Sequence, residues 1–156
     1  MKLPDVIRNV RLLLAKPTNL VVRKTGAQSV NTGATDTVKF DSVAEGNENS
    51  EYDTSNGKYT AKFDKKIMIT AHVRFDGMTT ASLVSCCIYI YKNGTAEKFR
   101  YYDVGKWSVF VMDISHSMKL VTGDYIEIKV KQEDAGARSI GTQDSGKNTV
   151  LTILEF

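Results

Sequence analysis

The sequence predicts an all-β domain, a sandwich or barrel of short strands, on two observations. First, several runs alternate between apolar and polar residues, as a strand does when only one face is buried. The clearest is residues 67–75, which would place five apolar side chains on one face. Second, Asn-Gly or Gly-Asp pairs at 56–57, 93–94 and 123–124 separate the runs, and such pairs close hairpins or short loops.

The other strands follow from shorter runs with the same chemistry. Residues 20–22 are rich in β-branched side chains, and residues 37–43 and 58–63 alternate. Residues 83–91 are almost continuously apolar, which predicts a strand buried on both faces. Residues 133–148 are polar and contain several glycines, so we expect an exposed loop there. Three β-rich runs complete the set: 107–114, 125–130 and 149–156.

Residues 4–16 differ from the rest and predict a short amphipathic α-helix. Pro4 suits the first helical position, and Pro17 stops the helix. A helix this short is marginal in water, so its apolar stripe needs its own domain, another protein, or copies of itself in a three-helix stalk. We favour the last two, with residues 1–19 as a docking arm and 20–156 as the folded domain. The stripe is formed by Val6, Ile7, Val10, Leu13 and Leu14.

Composition restricts the classes of partner that the protein can bind and the cell compartment in which it is made. The formal net charge is +3, from 21 basic and 18 acidic residues, which is too balanced to predict nucleic-acid binding. No apolar segment approaches the ~20 residues of a membrane span, so we expect no membrane insertion. Cys86 and Cys87 are adjacent, so a strand would point them to opposite faces as unpaired thiols. Free thiols and an N-terminus without a secretory pattern predict assembly in a host cytoplasm.

Neither histidine lies in a sequence context that predicts catalysis. His72 falls on the polar side of an alternating run, which predicts a solvent or interface position. His116 neighbours Asp113 and Ser115, but consecutive strand residues point in different directions and do not converge into a triad. No Gly-x-Ser-x-Gly elbow is present. We therefore expect no enzyme activity, no catalytic residues and no cofactor.

One acidic loop supplies oxygen atoms of the kind that Ca²⁺ prefers. It lacks the spacing of an EF-hand, so the preferred interpretation is a solvated loop without a metal, and calcium is left as the alternative. The loop residues are Glu45, Asn47, Glu48, Asn49, Ser50, Glu51 and Asp53.

Four motifs in order resemble the family of C1q-like and tumour-necrosis-factor-like (TNF-like) jelly-roll domains. Residues 38–61 contain V-K-F followed by Y-D-T-S-N-G-K-Y-T-A, and residues 90–94 read I-Y-K-N-G. Residues 120–128 read L-V-T-G-D-Y-I-E-I, and residues 150–156 fit the last core strand. The resemblance extends over residues 20–156. The sequence departs from the family in lacking a Pro-Gly pair and a glycine within the last strand.

The resemblance implies a ten-stranded jelly-roll sandwich that associates as a tight homotrimer. The aromatic side chains in the strands exceed what one small sandwich can easily bury, and exposed apolar patches mark interfaces. Burial of all of them in the core is the alternative. The candidates for the trimer interface are Tyr89, Tyr91, Tyr101, Trp107, Phe110 and Tyr125.

These expectations lead to two functional hypotheses. The first is a virion structural protein of a bacteriophage, a trimeric head- or tail-attached fibre or capsid decoration. Its arm would dock on another virion protein, and its domain could bind a glycan or protein of the host surface. The second is a secreted, C1q-like or cytokine-like trimeric module that binds a ligand or a glycan.

Overall fold

The computed structural model describes residues 16–78, 84–105, 108–141 and 148–156. Within these ranges the chain forms thirteen β-strands, and none of the residues is helical. The strands are β1 (Asn19–Arg23), β2 (Gln28–Val30), β3 (Thr35–Thr37), β4 (Ser42–Glu45), β5 (Tyr52–Asp53), β6 (Lys58–Thr60), β7 (Lys65–Asp76), β8 (Val84–Lys92), β9 (Thr95–Val104), β10 (Val109–Leu120), β11 (Tyr125–Gln132), β12 (Arg138–Ile140) and β13 (Val150–Glu155).

Two antiparallel sheets pack face to face. The first sheet has the order β2-β12-β7-β13-β1-β4, with β10 paired to the other side of β7. The second sheet has the order β5-β6-β11-β8-β9, with β3 also paired to β11. Strands β9 and β10 are therefore edge strands, one in each sheet, and they approach each other along one open side of the sandwich.

The predicted all-β architecture is confirmed, but the predicted count of ten strands is wrong. The additional strands are pieces of two to four residues, such as β5 and β12, which pair with their neighbours over only two or three positions. Strand β12 lies within residues 133–148, where a loop was predicted. Its Ile140 is buried opposite Phe75, a pairing that no local pattern indicates. The predicted helix over residues 4–16, including Val6, Ile7, Val10, Leu13 and Leu14, lies outside the described residues.

Alternation along the central strands builds the core. In β7, the five predicted inward positions from Ile67 to Phe75 are completely buried. In β8, Ile88 and Ile90 point into the core, whereas the outward Tyr89 and Tyr91 remain half-exposed. The prediction that residues 83–91 form a strand buried on both faces is thus wrong. The second half of the run is apolar because its outward positions, Tyr89 and Tyr91, are aromatic, although the described chain places no third layer over them.

A buried ionic cluster ties the two sheets together at one end. Lys65 Nζ, at the start of β7, lies 2.7 Å from Glu51 Oε1 and 3.2 Å from Glu155 Oε2 of β13. Lys65 also donates to Thr18 Oγ1 at 2.7 Å, and that hydroxyl donates to Glu51 Oε2 at 2.7 Å. Burial raises the pKa of Glu51, but hydrogen bonds from Lys65, Thr18 and the Lys62 amide outweigh it and hold the pKa below its ordinary value.

Hydrogen bonds and a salt bridge also join the two edge strands, β9 and β10, on the open side of the sandwich. The Tyr102 hydroxyl of β9 donates to the Asp113 carbonyl of β10 at 2.7 Å and accepts from the Asp113 amide at 3.0 Å. Arg100 forms a salt bridge of 2.7 Å with the Asp113 carboxylate. The outer edge of an edge strand presents backbone groups that have no strand to pair with. At Asp113 of β10, the Tyr102 hydroxyl takes the place of the missing strand by bonding to both backbone groups.

Candidate interaction surfaces

The outer faces of the two sheets carry most of the exposed apolar side chains, and they differ in chemistry. We call the outer face of the first sheet the aliphatic face. Its uncharged members are Met68, Thr70, His72, Val109, Val111, Ser115, Ser117, Val150, Thr152, Leu154 and Phe156, and its charged members include Lys66, Arg74, Asp76, Asp113 and Lys119. We call the outer face of the second sheet the aromatic face. It consists of Thr37, Lys58, Cys87, Tyr89, Tyr91, Phe99, Tyr101, Tyr125, Glu127, Lys129 and Lys131.

Small side chains occupy the centre of the aliphatic face. Thr70 lies opposite Ser115 on one side and Thr152 on the other, and the Thr70 and Ser115 hydroxyl oxygens are 3.1 Å apart. In the next row Met68 lies opposite Leu154, and these side chains are 41% and 43% exposed. Short side chains flanked by exposed aliphatic ones form a surface that another backbone can approach closely.

The two histidines differ in their position relative to this face. His72 is exposed and lies opposite Asp113, so the predicted solvent or interface position of His72 is confirmed. Asp113 is engaged by Arg100. His116 lies opposite the inward-pointing Ile69, so its ring is on the other side of β10 from Asp113. The geometry therefore excludes a triad of His116 with Asp113 and Ser115.

Four aromatic rings form a continuous array on the aromatic face. The ring centroids of Tyr89 and Tyr91 are 5.8 Å apart, those of Tyr89 and Phe99 are 6.2 Å apart, and those of Phe99 and Tyr101 are 5.3 Å apart. Neighbouring rings are inclined by 46° to 72°, a tilted or edge-to-face arrangement that aromatic pairs favour. Phe99 and Tyr101 are 54% and 64% exposed.

Charged side chains beside the rings are paired with one another. Lys129 Nζ lies 4.6 Å from the centroid of the Tyr91 ring and 3.6 Å from Glu127 Oε2. Lys131 Nζ lies 2.7 Å from Glu133 Oε1. The face thus combines aromatic surface with hydrogen-bond donors and acceptors. Two of its three lysines lie beside carboxylates, and the third, Lys58, lies over the Tyr125 ring.

Two buried thiols lie in β8 on either side of the second sheet. Cys86 belongs to the core, where burial raises the pKa of its thiol to about 12. Cys87 points outward, yet it is only 2% exposed, because it lies opposite Tyr101 and Lys131 within the sheet. Burial also raises the pKa of Cys87. The prediction of two unpaired thiols on opposite faces of a strand is confirmed, and both thiols are buried.

The structure places four of the six predicted interface residues on the aromatic face. Tyr89, Tyr91 and Tyr101 belong to the ring array. Tyr125 lies farther along β11, with Lys58 Nζ 4.4 Å from its ring centroid. Their role in a trimer stays a prediction.

Of the other two candidates, one lies on the open side of the sandwich and one falls outside the described residues, and one exposed ring was not among the candidates. Phe110 in β10 packs against Tyr102 at 5.3 Å between centroids, on the open side of the sandwich. Trp107 lies outside the described residues. Phe99 was counted among the excess aromatic residues of the strands but not among the interface candidates; it lies in β9, two residues before the candidate Tyr101. The preceding Asn93–Gly94 turn was the available signal, since it announces a second hairpin strand.

The acidic loop is engaged in other interactions. Glu51 belongs to the buried ionic cluster, Glu48 lies 3.3 Å from Lys16 Nζ, and Asp53 accepts hydrogen bonds from Ser55. Across the described ranges, no three His, Cys, Asp or Glu side chains are grouped so that they could hold a metal ion. The same ranges contain no helix long and apolar enough to cross a membrane.

No family model and no curated protein matches the sequence. Solved structures do match the fold. The globular domain of zebrafish complement 1qA aligns with a TM-score of 0.65 and 13% identity, over 89% of this chain and 96% of that chain. Murine APRIL at pH 5.0 aligns with a TM-score of 0.64 and 11% identity, over 90% of this chain and 100% of that chain.

A third similar structure is Eiger TNF from S. frugiperda, with a TM-score of 0.62 and 9% identity. The alignment covers 90% of this chain and 94% of that chain. At these identities the similarity establishes the fold alone. The protein therefore has the C1q/TNF-like jelly-roll fold, as the sequence motifs indicated.

Proposed function

We propose that the protein is a non-enzymatic, trimeric binding module that associates through its aliphatic face and presents its aromatic face to a ligand. The trimeric state is the one that the resemblance to C1q-like and TNF-like domains implies. The similarity to complement 1qA and to a TNF supports a module that binds rather than catalyses. It favours the second hypothesis, a ligand- or glycan-binding module, over the virion hypothesis. The role as a phage fibre or decoration, the docking of residues 1–19 on a virion protein and the virion localisation stay predictions.

The observation that carries the proposal is the difference in composition between the two faces. The core of a protein–protein interface is depleted of charged side chains, whereas its rim is polar. The centre of the aliphatic face, around Thr70, Ser115 and Thr152, is small and uncharged, with Met68 and Leu154 exposed beside it. Covering this surface with another copy would bury apolar area and few charges.

Charged residues stand between the rings of the aromatic face. A second copy packed there would have to desolvate Lys129, Lys131 and their carboxylate partners. This cost makes the aromatic face the poorer surface for self-association. It leaves the rings available to a smaller ligand that does not cover the whole sheet.

The proposal is tested by measuring the molar mass of the full chain by size-exclusion chromatography with light scattering. We expect three times the chain mass at micromolar concentration, and the single-chain mass for Leu154→Asp, which places a charge on the aliphatic face. Val121→Asp is the control, because Val121 is 58% exposed in the turn between β10 and β11 and should leave the trimer intact. A wild-type monomer, or a Leu154→Asp trimer, would overturn the assignment of this face.

A further inference from the structure

The ring array of the aromatic face is ordered before any ligand arrives. Tyr89, Tyr91, Phe99 and Tyr101 stand on paired strands rather than on a loop, and each ring contacts another at 5.3 to 6.2 Å. Rigid aromatic side chains offer a large contact area for a small loss of conformational entropy. The array therefore has the properties of a binding platform.

The shape of the array suits a ligand made of several linked small rings, such as the sugar rings of an oligosaccharide. Successive aromatic rings are inclined by 46° to 72°, so the surface is ridged and each ring offers a separate contact. A pyranose with equatorial hydroxyls carries C–H groups on both faces, and these polarised C–H groups pack favourably on the electron-rich face of an aromatic ring. Consecutive sugars of one twisted chain can thus contact consecutive aromatic rings.

The charges of the aromatic face disfavour an anionic ligand. The two lysines beside the ring array are paired with carboxylates, Lys129 with Glu127 and Lys131 with Glu133, whereas Lys58 lies over Tyr125, outside the array. A nucleic acid or a sulfated glycan gains affinity from unpaired cations and would be repelled by these carboxylates. Sugar hydroxyls both donate and accept, so they can bond to ammonium, carboxylate and phenol groups alike.

We infer that the aromatic face binds a neutral oligosaccharide of β-linked pyranose rings, which stacks on Tyr89, Phe99 and Tyr101 and hydrogen-bonds to the flanking Lys129–Glu127 and Lys131–Glu133 pairs. The inference rests on the ligand-binding half of the proposed function and names the ligand class. It requires the aromatic face to be accessible in the assembled molecule, as it is when the copies associate through the aliphatic face of the opposite sheet.

The test is isothermal titration calorimetry of the full chain with three neutral hexasaccharides, cellohexaose, chitohexaose and xylohexaose. A heparin hexasaccharide and a thymidine hexanucleotide serve as anionic comparators. We expect at least one neutral sugar to bind, with little dependence on salt. Phe99→Ala should weaken it about tenfold, which corresponds to the loss of one stacking contact. Phe156→Ala is the matched control, since Phe156 is an exposed phenylalanine of the aliphatic face.

Three results would overturn the inference: no binding of any neutral sugar, binding confined to the anionic comparators, or equal weakening by Phe99→Ala and Phe156→Ala. Light scattering of the same samples separates this failure from failure of the assembly proposal. A monomer that binds the sugar would contradict only the trimer. A trimer that binds none of the three sugars would contradict only the ligand assignment.

Discussion

The two outer faces of the sandwich are built on similar strands and present opposite chemistry. Inward positions are aliphatic in both sheets, as in β7 and β8, because both sheets fill one core. The centre of the aliphatic face is short and uncharged, with charged residues such as Lys66 and Asp113 around it, whereas the aromatic face has rings interspersed with ion pairs. Since folding constrains the inward side chains, the outward ones are free to differ with function. The contrast between the faces therefore carries more functional information than the fold they share.

The strongest test of this contrast is the same substitution on each face. Thr70 and Thr37 are both half-buried strand residues, and their hydroxyls lie near Ser115 and Glu127, respectively. Thr70→Arg would place a long charged side chain at the centre of the proposed interface in every copy. We expect self-association to weaken about a thousandfold or more, because each desolvated charge costs several kcal/mol. Thr37→Arg should leave the mass unchanged, as measured by sedimentation equilibrium.

A reversed outcome would exchange the roles of the two faces. If Thr37→Arg dissociated the protein and Thr70→Arg did not, the tyrosines predicted from the sequence would be the trimer contacts after all. The oligosaccharide would then have no accessible platform.

The next largest effect is expected at the buried ionic cluster of Lys65, Glu51 and Glu155, which joins the two sheets. Lys65→Met should lower the free energy of unfolding by about 3–5 kcal/mol, because Glu51 and Glu155 would lose their buried cation. Lys66→Met is the control: Lys66 is the exposed neighbour, and its replacement should change stability by less than about 0.5 kcal/mol. Urea unfolding followed by circular dichroism measures both changes.

Acid should weaken the same cluster. The folded-state pKa of Glu51 lies below its ordinary value of 4.5, so its contribution is present above that pH and is lost as the pH falls below it. In Lys65→Met the Glu51 carboxylate has lost its cation, so its protonation stabilises the folded state. Acidification should therefore reduce the difference in the free energy of unfolding between wild type and variant. A difference independent of pH would contradict the proposed role of Glu51.

A smaller effect is expected at the tie between the two edge strands. Tyr102→Phe removes the hydroxyl that bonds to both backbone groups of Asp113. The expected loss is about 1 kcal/mol of unfolding free energy, since water can partly replace the hydroxyl at this open side. Tyr91→Phe, on the aromatic face, should be neutral in the same urea titration. Equal losses for the two variants would argue against a specific tie at Asp113.

The regions that sequence reasoning located are those whose burial is one-sided and regular. Residues 67–75 were predicted as a strand, and β7 runs from Lys65–Asp76, because every second side chain from Ile67 to Phe75 is needed in the core. Strand β9 was missed because it is an edge strand with almost every side chain in solvent, so its composition T-A-E-K-F-R-Y-Y-D-V shows no apolar period.

The candidate surface was predicted only in part for a related reason. The aromatic residues Tyr89, Tyr91 and Tyr101 could be singled out as excess apolar surface. Their meeting on one face depends on the pairing of β8 with β9, in which Cys87 lies opposite Tyr101 and Tyr89 opposite Phe99. That pairing follows from the Asn93–Gly94 turn, which sets the register of the hairpin, and not from a residue pattern within either strand.

The smallest expected effect concerns the Cys87 thiol, which the side chains of the aromatic face cover. Cys87 and Cys86 are both buried and both have raised pKa values, so neither thiol should react with Ellman's reagent in the native protein at pH 8. Tyr101→Ala should expose Cys87, which lies opposite it, while Cys86 stays in the core. One thiol per chain should then react, with little change in stability.

Phe99→Ala is the matched control, because Phe99 lies opposite Tyr89 rather than Cys87 and its loss should leave the thiol covered. Adding Cys87→Ser to Tyr101→Ala should abolish the reaction and so identify the thiol. Two reactive thiols in Tyr101→Ala would mean that the ring supports the core as well as the surface. The aromatic array would then be a structural layer of the sandwich, and its contrast with the aliphatic face would lose its functional meaning.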